Sequence, residues 1–336
     1  MLEADVELDR REFRLAAAFT VAAGQRLALF GPSGAGKTTI LEVVAGLLEP
    51  ARGTVTLDGR VLTRTAPPRR QVPPWQRRVG LLRQDPALFP HLSVRQNLAY
   101  AARGRPGTAA AGPDEIARIA DRLGIGGLLD DRPARLSGGQ AHRVALGRLL
   151  ASRCDALLLD EPYTGLDASL RRDLTDLVRE LVAARQVPSV LVAHELEAAQ
   201  AFADQMAVLD HGQIRQTGTP AEVVAAPAAR RVAELVGYRS FVPLAGAAAG
   251  VVAGVHPDRV VAGRQPGRGV VLAGPVRSCR PSGAGWEATV ETAGTLVPVQ
   301  LREPPGGGPD FAFTVLDPPC FGPDGLRVSR PEEVPT

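Results

Sequence analysis

Only one basic residue in this chain is a lysine. Lys and Arg together number thirty-nine, and every one except Lys37 is Arg. A sequence that writes Arg wherever it can has kept a compact ammonium on a flexible stem at this position, which a planar guanidinium fork cannot imitate. The neighbours show what it is for. Gly31-Pro32-Ser33-Gly34-Ala35-Gly36-Lys37-Thr38 fits G-x-x-x-x-G-K-[ST] without a mismatch. Glycines at this spacing let backbone amides close on phosphate oxygens at a helix N-terminus. Lys37 would reach the β- and γ-phosphates, Thr38 would hold Mg²⁺, and Thr39 joins the residues that hold the nucleotide.

Two further points along the chain carry acid–base chemistry. Ala156 to Leu159 is a continuous apolar run that ends in Asp160 and Glu161, and Ser189 to Ala193 is another that ends in His194. Buried parallel strands that deliver carboxylates and an imidazole at their C-terminal ends, beside a phosphate loop, are placed to manage a metal ion and a water. Between them, Leu136-Ser137-Gly138-Gly139-Gln140 opens an apolar-striped helix with Val144, Leu146, Leu149 and Leu150. Ser137 is a natural N-cap, and the glycines leave the helix start open to an anion. By itself, Ser-Gly-Gly is only a common helix-starting turn. His142 reads as an exposed residue of that helix.

The elements that must position these groups follow from periodicity. Arg26 to Phe30 is a short strand feeding the glycine loop, and Thr38 to Leu48 has helical spacing until Pro50. Gly53 to Gly59 reads as a hairpin strand, Pro67 to Pro74 as loop, and Arg78 to Leu82 as a strand followed by Gln84-Asp85-Pro86. A helix is expected over Asp114 to Leu123, ended by Gly124. Met206 to Leu209 and Gln213 to Gln216 form a hairpin about His211-Gly212. Alternating strands and helices predict a mostly parallel α/β sheet with an antiparallel appendage. From Phe241 the texture changes to short Val-rich runs between Gly and Pro turns, including Gly269 to Leu272, Ala288 to Glu291 and Leu296 to Leu301. That pattern predicts a small β-barrel or sandwich.

Composition bounds the alternatives. A chain of 336 residues accommodates two domains, and 45% hydrophobic with 22% charged residues supports folded cores. Thirty-nine basic against thirty-six acidic residues is not the clustered excess of a nucleic-acid-binding protein. Cys154, Cys279 and Cys320 lie far apart with no CxxC spacing, so neither a disulfide framework nor a zinc site is expected. The first residues, Met1-Leu2-Glu3-Ala4-Asp5, carry acids where a secretory signal carries bases, so no export is expected. Phe241 to Val255 falls short of the ~20 apolar residues that a spanning helix needs.

Together, Gly31 to Thr38, Gln84, Leu136 to Gln140, Asp160-Glu161, Gly165-Leu166-Asp167 and His194 resemble the nucleotide-binding subunit of ATP-binding cassette (ABC) transporters across roughly residues 1–235. The resemblance implies an α/β P-loop ATPase cassette with a helical subdomain over 1–237, followed by a β-rich domain of the TOBE or OB-like kind over 238–336. It implies that Gln84 contacts Mg²⁺ or the attacking water and senses the membrane partner. By the same resemblance Asp160 stabilises hydrated Mg²⁺, Glu161 is the general base, and His194 contacts the γ-phosphate. Ser137, Gly138, Gly139 and Gln140 would cover ATP bound to a second subunit, and Asp167 would cross the dimer interface. In this family an aromatic residue upstream of the phosphate loop stacks on adenine. Val6 to Arg10 offers none, which leaves Phe13 or Phe19.

Separate subunits with a C-terminal β-domain resemble bacterial importers. Val72 to Gly80 and Leu88 to Leu98 are similar to molybdate-importer ATPases, with sulfate and iron importers close by. The implied protein is an importer ATPase on the cytoplasmic face of the membrane. It works as a homodimer with integral permease subunits and, through them, an external solute-binding protein. Molybdate or a related oxyanion is the favoured solute; ferric iron, sulfate or polyamine are alternatives, and a soluble cassette ATPase is the different-class alternative. Gly254 to Asp258 and Gly274 to Gln300 look like the TOBE domain, whose role is either dimerisation and regulation or direct binding of an oxyanion.

Overall fold

Alternating residues open the chain. β1 (Leu2–Asp9) and β2 (Arg14–Val21) pair antiparallel with Leu2 opposite Val21, and the pairing sends Leu2, Ala4, Val6, Leu15 and Ala17 into the core. β3 (Arg26–Phe30), apolar and buried after its first residue, leads into the glycine loop and α1 (Lys37–Ala45). That helix stops at Gly46, which takes the left-handed C-cap conformation at φ 82°, and not at Pro50 as expected. β4 (Arg52–Leu57) and β5 (Arg60–Arg64) form the expected hairpin. The proline-rich stretch is less irregular than expected: it contains β6 (Arg70–Gln71), and its end begins the one-turn α2 (Pro74–Arg77).

β7 (Val79–Leu82), α3 (Val94–Ala102), α4 (Pro113–Arg122), α5 (Gly138–Ala151), β8 (Ala156–Asp160), α6 (Ala168–Arg185), β9 (Ser189–Ala193) and α7 (Leu196–Phe202) come next. The hairpin of β10 (Gln205–Asp210) and β11 (Gln213–Gly218) turns at His211-Gly212, both with positive φ. Among the described residues these strands form one eleven-stranded sheet in the order β6-β5-β4-β1-β2-β11-β10-β3-β9-β8-β7. From β10 to β7 every pairing is parallel, and the β1, β2, β4, β5, β6 end is antiparallel. The register sets Phe30 beside Ala193 and Asp160 beside Val192. The loops after β3, β8 and β9 therefore leave from adjacent C-terminal strand ends, where open α/β sheets bind ligands.

The computed structural model describes residues 1–9, 14–102, 112–163, 168–244, 246–265, 267, 269–283, 285–306 and 310–330. They divide into two compact units, Met1–Pro220 and Ala221–Thr336. The division falls before the 237/238 boundary read from the sequence. α8 (Pro220–Ala225) and α9 (Arg230–Leu235) are tied to the β-rich unit: the Tyr238 hydroxyl donates to the Val224 carbonyl at 2.9 Å, and the Arg327 amide to that of Ala228 at 3.1 Å. That unit has ten strands among the described residues, β12 (Ser240–Pro243), β13 (Val252–Val255), β14 (Val260–Ala262), β15 (Gly269–Gly274), β16 (Val276–Ser282), β17 (Gly285–Thr292), β18 (Thr295–Leu301), β19 (Phe311–Leu316), β20 (Cys320–Phe321) and β21 (Arg327–Val328). They make three separate sheets, β12-β13-β20-β21, β14-β19-β15 and β16-β17-β18, where a barrel was one expectation. Val242, Val255, Ala288, Val290, Val297, Val299, Phe313 and Val315 form the larger of its cores. Among the described residues no helix is long and apolar enough to cross a membrane.

Candidate functional site

The loop after β3 is held from behind. A Cβ on Gly31 would lie 2.0 Å from the Leu209 carbonyl oxygen, so only glycine lets β10 approach so closely. The Gly212 amide then donates to the Ala35 carbonyl at 3.1 Å, and the hairpin braces both ends of the loop. Gly34 and Gly36 have φ of 79° and 102°, values that admit glycine at little cost. Space beside Gly34 is open, and Gly36 serves as N-cap of α1 without a side chain. Amide hydrogens at the start of α1 thus meet whatever lies in the loop.

Lys37 is 5% exposed. Its Nζ donates to the carbonyls of Gly31 and Pro32, each at 2.8 Å, so the side chain curls over the loop that precedes it. Burial pulls its ammonium below the usual lysine range, with Glu161 and Asp160 opposing. The Thr38 hydroxyl donates to Asp160 Oδ1 at 3.1 Å, bringing the ends of β3 and β8 together. Burial raises Asp160 above the ordinary carboxylate range; the Thr38 hydroxyl lowers it and the Glu161 charge raises it further. A hydroxyl and a carboxylate within one hydrogen bond of each other form the oxygen-donor pair that suits a hard cation such as Mg²⁺.

Glu161 departs from the strand with φ 49°, and its Oε1 lies 3.2 Å from His194 Nδ1. His194 Nε2 is 4.0 Å from Glu195 Oε1, and Glu195 is in turn ion-paired with Arg171 of α6. A cavity of about 110 Å³ opens behind this group, bordered also by Tyr163 and Ala198. Burial pushes the Tyr163 phenol up to about 12. The structure therefore assembles Lys37, Thr38, Asp160, Glu161 and His194 from three adjacent strand ends. Gln84 sits exposed in the bend after β7, and Asp167 lies outside the described residues, as do Gly165 and Leu166.

Ser137 caps α5 reciprocally: its hydroxyl accepts from the Gln140 amide at 3.3 Å, and its own amide donates to Gln140 Oε1 at 2.8 Å. Ser137 and Gly138 face solvent, and a Cβ at Gly138 would meet nothing within 4 Å. His142 is not exposed as expected. It is 6% exposed, bonded to the Pro162 backbone and held below the usual imidazole range by burial. The signal was present in the sequence, since His142, Leu146 and Leu149 fall on one helical face. Phe19 packs half-buried against the sheet core, opposite Ala4 in the register, and Phe13 lies outside the described residues. Sequence reasoning also missed the brace from Leu209 and Gly212, and Arg171. No local pattern points to either, because their partners are remote in the chain.

The family described as ABC transporter matches residues 16–164. A molybdenum import ATP-binding protein of Mycobacterium tuberculosis is 44% identical over 228 residues, covering 67% of this chain and 62% of that protein. An sn-glycerol-3-phosphate import ATP-binding protein of Cereibacter sphaeroides is 37% identical over 254 residues, covering 76% of this chain and 71% of that protein. Among solved structures, a bacterial Atm1-family ABC exporter with ATP bound matches with a TM-score of 0.57 at 28% identity, over 70% of this chain and 41% of the exporter. The chain spans about three fifths of the length of several curated relatives that it matches.

Proposed function

The chain belongs to the ABC transporter family, and from that premise we propose that it is the ATP-hydrolysing subunit of a membrane importer. The observation that carries the proposal is the convergence of Lys37, Thr38–Asp160 and Glu161–His194 at neighbouring strand ends. The loop amides and Lys37 would bind the phosphates of ATP. Thr38 and Asp160 would hold Mg²⁺, with Gln84 as a further ligand; when bound, the ion neutralises charge developing on the transferred phosphoryl group. Glu161 would accept the proton of the attacking water, and His194 would steady Glu161 through Nδ1 and contact the γ-phosphate.

Neither the loop nor the Ser137 cap is a complete site. The solvent-facing Ser137 and Gly138 at the start of α5 suit the triphosphate held by a second copy, so two subunits would close head to tail around two nucleotides and separate after hydrolysis. Asp167 would cross the same interface. A groove of about 460 Å³ beside Gln84, bordered by Trp75, Phe89, Tyr100 and Arg148, would receive the permease. Trp75 is 72% exposed and Tyr100 53%, which supports reading this surface as an interface. Molybdate or a related oxyanion is the solute we favour, on the 44% identity to a molybdenum import subunit. The second unit would regulate or dimerise the assembly, or bind the oxyanion itself.

Glu161→Gln tests the reading. The variant should bind ATP, dimerise in its presence by light scattering, and turn over about 10²–10⁴-fold more slowly, the usual loss of a general base. A variant that stays monomeric and hydrolyses ATP at the normal rate refutes both the base and the dimer. With the permease and binding protein, stimulation by ferric iron or spermidine but not by molybdate or sulfate would reject the oxyanion.

A further inference from the structure

From Arg60 to Arg83 the chain carries seven arginines and no Asp or Glu, in a protein whose charges otherwise nearly balance. Four of them, Arg60, Arg64, Arg69 and Arg70, surround one groove of about 360 Å³ together with Val61 and Pro68. The groove lies on the outer edge of the eleven-stranded sheet, where β6 ends the order. Some exposed arginines elsewhere find acids, as Arg14 does with Glu7, Arg122 with Glu180, Arg277 with Glu291 and Arg280 with Glu287, while others such as Arg52 and Arg132 stand apart from one another without a carboxylate among the described residues. Among the described residues, none of the four groove arginines pairs with a carboxylate. Arg60 and Arg69 donate only to the carbonyls of Gln76, at 2.8 Å, and Thr65, at 3.1 Å.

The register makes the arrangement costly. Arg64 stands directly opposite Arg70 across β5 and β6, and like charges in that position weaken a strand pair. Guanidinium forks converging without a carboxylate partner fit phosphate oxygens, which they hold through paired hydrogen bonds. The bond from Arg60 to Gln76 also places the groove beside α2, whose Trp75 borders the surface assigned to the permease. An exposed indole beside several arginines is the composition of a membrane-surface patch.

We propose that the groove of Arg60, Arg64, Arg69 and Arg70 binds the phosphate headgroups of acidic phospholipids and seats this sheet edge on the bilayer. The choice of a bilayer as the source of the phosphates rests on the proposed partnership with a membrane permease. Each arginine near an anionic surface strengthens binding about fivefold, so neutralising three of them should weaken it about a hundredfold.

The test is sedimentation of the full chain with vesicles of phosphatidylglycerol and phosphatidylcholine, against vesicles of phosphatidylcholine alone. The wild-type chain should bind only the acidic vesicles and lose that binding in high salt. The Arg64→Gln/Arg69→Gln/Arg70→Gln variant should lose about a hundredfold in affinity while keeping its ATPase rate. Its melting temperature should not fall, because a like-charge pair is gone; if it does fall, the single Arg69→Gln variant, expected to lose about fivefold, carries the test. Equal binding to neutral vesicles, or undiminished binding by the variants, overturns the proposal. So does loss of vesicle binding to millimolar inorganic phosphate at constant ionic strength, or equal affinity for duplex DNA. Absent vesicle binding with a co-purifying permease sinks the groove alone; arginine-dependent vesicle binding with no permease partner sinks the transport reading and leaves the groove standing.

Discussion

Arg77 offers the sharpest check on how the phosphate-loop helix is held. It is the largest side chain in the described structure to be fully buried, and it has no carboxylate partner. Its guanidinium instead donates to the carbonyls of Val43 (3.1 Å) and Val44 (2.9 Å) at the end of α1, to Val72 O (2.8 Å), and to the Thr63 hydroxyl (2.8 Å). The positive group thus lies at the negative end of the helix dipole, satisfies the Val44 carbonyl and adds a second donor to that of Val43, which already accepts from the Gly46 amide at 3.1 Å. Gly46 makes room for it, since a Cβ there would come within 2.2 Å of Arg77 Nε. Burial pulls Arg77 down to about 10, so it stays charged at neutral pH at a cost of about 3 kcal/mol.

Arg77→Met keeps most of the volume and removes every donor. Three acceptors, the Val44 and Val72 carbonyls and the Thr63 hydroxyl, lose this partner at about 1.5 kcal/mol each, roughly 4.5 kcal/mol in all, while Val43 keeps the Gly46 amide, against the roughly 3 kcal/mol recovered with the charge. The expected net loss is about 1.5 kcal/mol, a measurable part of an ordinary folding free energy. Urea unfolding measures it directly, and the midpoint should fall with little change in slope. Arg77→Lys should also destabilise, because one ammonium cannot span groups on α1, β5 and the Val72 turn. ATP affinity below the transition should change less than about threefold, a ΔΔG under about 0.7 kcal/mol, since no contact of the loop itself is altered. A loss below about 1 kcal/mol for Arg77→Met would show that the carbonyls find other partners and refute the accounting.

Two further outcomes follow from the buried charges. Lys37→Arg should weaken ATP binding at least about tenfold although charge is retained, because the fork does not fit where Nζ meets the Gly31 and Pro32 carbonyls; fluorescent-nucleotide titration with near-normal affinity would undo the lysine argument. Asp160 is raised in the folded chain, so its contribution is favourable below the unfolded value of 3.8 and is lost as pH rises through the folded value. Asp160→Asn should then melt higher than the parent at pH 7, in buffer without nucleotide or magnesium, and converge with it toward pH 4; a lower melting point at pH 7 refutes the reading.

The candidate site was legible where its groups are sequential neighbours. Glycine spacing around Lys37, the acids closing an apolar strand and the Ser137 cap are local patterns, and each corresponds to a defined local geometry. Arg77 was illegible because a charge in a proline-rich stretch reads as solvated, and its acceptors Val43 and Val44 lie far back in the sequence. The brace of β10 against Gly31 was hidden for the same reason: the glycine pattern announces a phosphate loop without saying what stands behind it. His142 was misplaced because its polarity was weighed above its position on the stripe it shares with Leu146 and Leu149. The boundary was set by the change of texture, while α8 and α9 are helices whose hydrogen bonds belong to the β-rich unit.

The two adjacent acids show why the strand end, more than the residue types, decides what each one touches. Along a regular strand Asp160 and Glu161 would point to opposite faces, and only one could reach the loop. Glu161 instead turns into the left-handed region at φ 49°, a conformation that costs about 1 kcal/mol or more for a residue with a Cβ. The turn lets the consecutive carboxylates address different partners, Asp160 the Thr38 hydroxyl and Glu161 the His194 ring. One acid is thereby tied to the side of the site where a cation would be held, and the other to the side where a water would lose its proton. Two carboxylates sharing a single metal could not divide the work in this way, because the base would be neutralised by the ion it sits beside. The strain at Glu161 keeps the two consecutive carboxylates on different partners.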